Sequence, residues 1–109
     1  MKMPSSDEVL QEVKWEVASF DVSHLIVKEA KSVNIYNNKG ELTVKDGEGY
    51  FDIKISNDQL YKSKKGGYQL ILYPIPYGRW YLENKNARLF ARLSDGTMKE
   101  RTFYVPKIE

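Results

Sequence analysis

The apolar positions of this chain change their period near residue 32. Upstream, Leu10, Val13, Val17 and Phe20 recur at spacings of three and four, one face of a helix. Ser5 and Glu8 match a capping box, and Asp7 and Glu8 place two acids in the first turn. These signals predict a helix over residues 6–14, preceded by a loose tail, Met1–Pro4. Val13, Trp15 and Val17 also alternate, so residues 13–20 fit a strand as well. His24-Leu25-Ile26-Val27 fits either a strand or one turn of helix.

From Ser32 onward the period is two. Val33 and Ile35, Leu42 and Val44, and Phe51, Ile53 and Ile55 alternate with polar neighbours. Asn37-Asn38-Lys39-Gly40 and Asp46-Gly47-Glu48-Gly49 read as turns, and Ser56-Asn57-Asp58 breaks the third strand. Gln59–Gly67 reads as a basic, glycine-ended loop, and Tyr68–Tyr73 as a strand. Pro74 and Pro76 lack the donor a central strand needs. Arg79–Leu82 then reads as a short strand and Glu83–Asn86 as a polar turn. About seven strands with close turns predict a mainly β fold: a single small antiparallel β-sandwich or β-barrel, an OB-like barrel included, with one N-terminal helix, residues 1–109 forming one domain.

The most specific signal is Asp95-Gly96, flanked by two alternating runs across Ala87–Val105. A two-residue loop sets Ser94 opposite Thr97, Arg92 opposite Lys99, Phe90 opposite Arg101 and Arg88 opposite Phe103. All six strand residues then share one face, and Leu89, Ala91, Leu93 and Met98 form a core side. Arg92 facing Lys99 is a like-charge conflict, and such conflicts are where function is sought first.

Charge sharpens that picture. Residues 1–54 carry seven Lys/Arg and ten Asp/Glu, net −3, whereas residues 55–109 carry ten and five, net +5. A basic half on a nearly neutral chain suggests a directed electrostatic face. Cysteine is absent, which excludes disulfides and thiol chemistry. No apolar run is long enough to span a membrane, and the polar start lacks the apolar stretch of a secretory signal, so a cytoplasmic location is expected.

Arg88, Arg92, Lys99 and Arg101 are therefore candidates for phosphate contacts, and Phe90 and Phe103 for base stacking. Lys62, Lys64 and Lys65 of the basic loop would close over the backbone. The expected function is a non-enzymatic binding module for single-stranded nucleic acid, needing no cofactor or metal. A structural reading competes: both rings could form a second small core covered by the acidic helix (Asp7, Glu8, Glu12, Glu16), with the cations as its rim. The alternative function is a protein–protein interaction or assembly subunit, structural or inhibitory, which docks on a larger partner and is compatible with a homo-oligomer. Its anchors would lie in Tyr73–Tyr81, where Pro, Tyr, Trp and Arg cluster. Against that stands simple alternation, with Trp80 and Leu82 in the core and Arg79 and Tyr81 in water. Stacked aromatics also suit a sugar.

Two further patterns carry less. Asp52-Ile53-Lys54, with Glu41 or Asp46 upstream, has the D-x-K spacing of certain metal-dependent nucleases, but that core needs a mixed sheet flanked by helices. His24 is the only histidine, and Asp21, Ser23 and His24 are too close in sequence for the usual catalytic-triad geometry.

Overall fold

Tight turns decide the topology, because nearly every strand is followed at once by its neighbour. The computed structural model describes residues 6–109, with side chains from Leu10 onward. One helix, α1 (Ser6–Glu29), precedes eight strands: β1 (Ser32–Asn34), β2 (Glu41–Lys45), β3 (Tyr50–Ser56), β4 (Gln59–Lys64), β5 (Gly67–Leu72), β6 (Tyr77–Glu83), β7 (Asn86–Arg92) and β8 (Met98–Tyr104). The first five form one antiparallel sheet in sequence order, and the last three form a second. The protein is mainly β, as the sequence predicts. The two sheets do not close into a barrel.

The predicted loop Gln59–Gly67 is instead strand β4 and its turn. Asn57 and Asp58 both adopt positive φ (53° and 62°), as do Lys65 and Gly66 (48° and 81°). Both pairs are two-residue turns with the backbone twist that hairpins favour, and Ser56↔Gln59 and Lys64↔Gly67 close them. Asn84 and Lys85 (47° and 67°) make a third. Asn57-Asp58 looks like a strand break in sequence because the paired left-handed conformation is rarer without glycine.

The helix departs furthest from expectation. It runs to Glu29 rather than ending near residue 14, and it absorbs both segments that also fitted strands. No glycine or proline interrupts residues 5–39. Its buried side is Trp15, Ala18, Ser19, Val22 and Ile26. The stripe that suggested the helix, Leu10, Val13, Val17 and Phe20, faces solvent. Trp15 offers the larger apolar area, and small Ala18 and Ser19 let the helix approach the sheets closely. The predicted tail Met1–Pro4 and the cap residue Ser5 lie outside the described residues, as does the Glu8 side chain.

One core joins all layers. Trp15, Val22 and Ile26 of α1 meet Leu42, Val44, Phe51, Ile53 and Leu60 of the first sheet and Trp80, Leu89 and Phe103 of the second. The helix lies against β5 and β8, an edge strand of each sheet. The sheets touch at Gly78, where a Cβ would sit 3.0 Å from Ile55 Cδ1. The Trp80 amide also donates to the Lys39 carbonyl at 2.6 Å. At the far edge the chain's end runs parallel to β1: the Val33 amide donates to the Lys107 carbonyl at 2.9 Å and the Glu109 amide to the Val33 carbonyl at 3.0 Å.

Gly96 sits at φ 88°, a left-handed conformation with open space around its Cα. Gly96→Ala is therefore expected to cost about 1 kcal/mol through backbone strain alone. A urea midpoint lowered at unchanged slope checks this, because no packing contact is altered.

Candidate binding face on the second sheet

The β7–β8 turn has three residues, not two. The Leu93 amide donates to the Thr97 carbonyl at 2.9 Å, and the Gly96 amide donates back to the Leu93 carbonyl at 2.9 Å. Ser94, Asp95 and Gly96 form the loop, with Gly96 alone at positive φ. This is the hairpin built on a type I turn followed by a left-handed glycine bulge. Asp95 Oδ1 accepts the Thr97 amide at 2.9 Å and so holds the turn. That bond is what holds the Asp95 carboxyl below its ordinary range.

One extra loop residue moves the pairing by one position and divides the predicted set between two faces. The observed partners are Arg92↔Met98, Ala91↔Lys99, Phe90↔Glu100, Leu89↔Arg101, Arg88↔Thr102 and Ala87↔Phe103. Phe103, Arg101 and Lys99 thus share the inner face with Ala87, Leu89 and Ala91. Phe103 is 5% exposed and packs 5.9 Å from Trp80, so it cannot stack a base. Arg101 donates to Glu16 of the helix at 2.6 Å, and Lys99 pairs with Glu12. The predicted conflict between Arg92 and Lys99 disappears. Met98, expected in the core, is 59% exposed.

The basic loop is also corrected. Lys62 and Lys64 project from β4 on the same side as core residue Leu60. Lys62 lies 4.6 Å above the Phe51 ring and 3.5 Å from Glu29. Lys64 reaches Asp46 at 2.7 Å and Glu48 at 3.3 Å. Lys65 is exposed but fixed in the β4–β5 turn. None of the three sits on an arm that could close over a ligand on β7 and β8.

Arg88, Phe90 and Arg92 remain on the outer face, where β6 supplies new neighbours. Register sets Tyr77 beside Arg92 and Met98, Arg79 beside Phe90 and Glu100, and Tyr81 beside Arg88 and Thr102. Alternation along β6 therefore does two things at once: it sends Trp80 inward and presents Tyr77, Arg79 and Tyr81 outward. The proline-flanked aromatic stretch and the basic hairpin, separate in sequence, share one surface.

That surface has internal structure. Tyr81 meets Phe90 edge-on at 5.2 Å. The Arg79 and Arg92 guanidinium groups lie 5.5 and 6.0 Å from the Tyr77 ring centre. Lys39 sits 4.8 Å from the Tyr81 ring. Arg88 is 5.6 Å from the Phe90 ring and donates to Glu100 at 2.5 Å, with Glu83 at 4.0 Å. A shallow hollow of about 490 Å³ opens between Tyr77, Tyr81, Arg88, Phe90 and Met98. The face is amphipathic: Glu83 and Glu100 both lie against Arg88, while Arg79 and Arg92 form no salt bridge among the described residues.

No family model matches this chain, and no characterised protein or solved structure is significantly similar to it.

The acidic pattern has other employment. Asp52 accepts the Thr43 hydroxyl at 2.7 Å, and Lys54 lies 3.7 Å from Glu41. Asp46 caps its own turn, accepting the Glu48 and Gly49 amides at 2.8 Å each. Among the described residues no three metal-ligating side chains converge. His24 is exposed on the helix, with its ring 6.3 Å from that of Phe20.

Phe103→Ala should cost roughly 3 kcal/mol, as for a truncated core aromatic, whereas Phe90→Ala should cost well under half of that. Denaturant unfolding of both variants makes the comparison, and equal losses would return Phe103 to the surface.

Asp46 and Lys64 make the stability of the fold depend on pH. The hydrogen bond from Lys64 holds the Asp46 carboxyl below the ordinary 3.8, helped by the Glu48 and Gly49 amides, and the same bond pushes Lys64 above 10.5. The Asp46 contribution is complete above 3.8 and is lost as pH falls through the lower folded value. The Lys64 contribution is complete below 10.5 and is lost as pH rises through its higher one. Asp46→Asn should lower stability at neutral pH and flatten both limbs of the stability–pH curve, measured as urea midpoints against pH.

Proposed function

We propose that this protein is a non-enzymatic binding module that docks a protein partner on the outer face of β6, β7 and β8. The observation that carries the reading is the composition of that face: Tyr77, Tyr81 and Phe90 interleaved with Arg79, Arg88 and Arg92, with Glu83 and Glu100 among them. Tyrosine and arginine are the side chains that dominate interface hot spots. Each tyrosine brings a large rigid area with a polar tip at little cost in conformational entropy. Two carboxylates among the three arginines lower the positive charge of the face, which favours a partner of mixed charge over a polyphosphate. The two sheets and their shared core act as a small sandwich that holds the face flat.

Single-stranded nucleic acid is the second reading. It is favoured by three arginines beside aromatic rings on an open sheet, an arrangement that suits phosphates and bases. The rings are partly engaged already, Tyr81 against Phe90 and Tyr77 beneath two guanidinium groups, which leaves less free stacking area.

A photo-crosslinking residue at Tyr81 is expected to trap a protein adduct in lysate of the source cells, while the same residue at Tyr50, exposed on the first sheet, does not. Equal yields at the two positions would remove the reading. Salt-suppressed binding of labelled oligonucleotides, lost in Arg79→Ser/Arg92→Ser, would replace it with the nucleic-acid one.

A further inference from the structure

The solvent-facing side of α1 carries a second apolar stripe that nothing among the described residues covers. Leu10, Val13, Val17, Phe20 and Val27 are 50, 52, 55, 70 and 75% exposed. With His24 they fall at intervals of three, four, three, four and three, the seam of a two-helix coiled coil. At 3.6 residues per turn this seam lies about 180° from the buried row of Trp15, Ala18, Val22 and Ile26. An approaching helix would therefore meet α1 and not the sheets. A water-exposed stripe of this length on a helix already anchored by its other side is a surface built for a second helix.

Charge selects the occupant. The seam is flanked on one side by Lys14, Asp21 and Lys28, seven residues apart and alternating in sign, and the sequence continues the alternation at Asp7. Among the described residues Lys14, Asp21 and Lys28 form no ion pair. A second copy laid antiparallel, with the two-fold axis between Val17 and Phe20, stacks Leu10 on Val27, Val13 on His24 and Val17 on Phe20. The same axis brings Lys14 of each copy to Asp21 of the other, twice. A parallel pair would instead set Glu16 beside Asp21, like against like.

We propose that the protein forms a homodimer through antiparallel pairing of its α1 helices along this seam. The interface is separate from the aromatic face on the second sheet, so either can exist without the other.

Sedimentation equilibrium of the full chain at micromolar concentration is expected to give twice the 12.7 kDa chain mass. Phe20→Glu, and independently Val27→Glu, should give a monomer with unchanged circular dichroism, since both side chains are exposed. Lys14→Asp alone should weaken the dimer by roughly ten-fold, because two attractive pairs become repulsive. The Lys14→Asp/Asp21→Lys exchange should restore it, and Tyr81→Ser should leave it unchanged. A monomer at every concentration would overturn the proposal and leave the stripe to a different protein or a lipid surface. A dimer indifferent to Phe20→Glu, or a charge exchange that fails to restore pairing, would overturn it as well.

Discussion

The pairing of Leu93 with Thr97 is the constraint on which the second sheet depends. Because side chains alternate with period two, the length of a single loop decides which half of β8 enters the core. With three loop residues Phe103 goes inward to Trp80, and Arg101 and Lys99 turn toward the helix. With two, the chain would bury Thr102 and Glu100 and strand Phe103 in water. The choice is enforced at both ends of the hairpin. Gly96 accepts the left-handed conformation that the longer loop needs, and Phe103 fills a space no polar neighbour could fill.

Part of the uneven charge of the chain is spent within the molecule. Cations of the second half find acids of the first: Lys62 with Glu29, Lys64 with Asp46 and Glu48, Lys99 with Glu12, Arg101 with Glu16. An asymmetry that suggests a polyanion partner is thus in part the electrostatic side of packing α1 onto the sheets, through Lys62, Lys99 and Arg101, and in part the tie between the β2–β3 turn and β4 through Lys64. It does not supply most of the adhesion. Exposed ion pairs contribute about 0–1 kcal/mol each, whereas burying Trp15, Val22 and Ile26 contributes roughly 1.5–3 kcal/mol apiece. The pairs set where along β8 and β4 the helix comes to rest, and the apolar side chains hold it there.

Much of the architecture was legible in the sequence for a simple reason: β2, β3, β6 and β7 each have one wet face and one dry face, and alternation reports that directly. What stayed hidden was of two kinds. Asn57-Asp58 and the three-residue loop at Ser94–Gly96 depend on backbone conformations that several turn types share, so composition marks a turn without fixing its length. The site suffered from this most, since a shift of one residue separated Phe103, Lys99 and Arg101 from Arg88, Phe90 and Arg92. The face that emerged was legible only in pieces. Its β6 half was read as ordinary alternation, and the polar turn Glu83–Asn86, whose length composition does not fix, left the register that sets Tyr81 next to Arg88 unread.

The helix shows a different limit. Periodicity identified α1 but could not say which of two apolar stripes is buried, since both have helical spacing. The decision is tertiary: a row containing Trp15 and the small Ala18 and Ser19 fits against two sheets, while a row of Val13, Val17 and Phe20 does not approach so closely. This ordering of layers has a geometric consequence. The inner face of β7 and β8 looks toward α1, so the aromatic outer face of that sheet and the free stripe of the helix point to opposite sides of the molecule. A pair of chains joined along the stripes would hold both aromatic faces outward and leave neither obstructed. Two identical docking faces on one rigid body bind a repetitive or two-fold partner by avidity, each contact raising the effective concentration of the other. Modest affinity at each hollow would then suffice for a stable assembly. On the proposed reading, that would relieve a surface whose Arg88 is already paired with Glu83 and Glu100 from having to bind tightly alone.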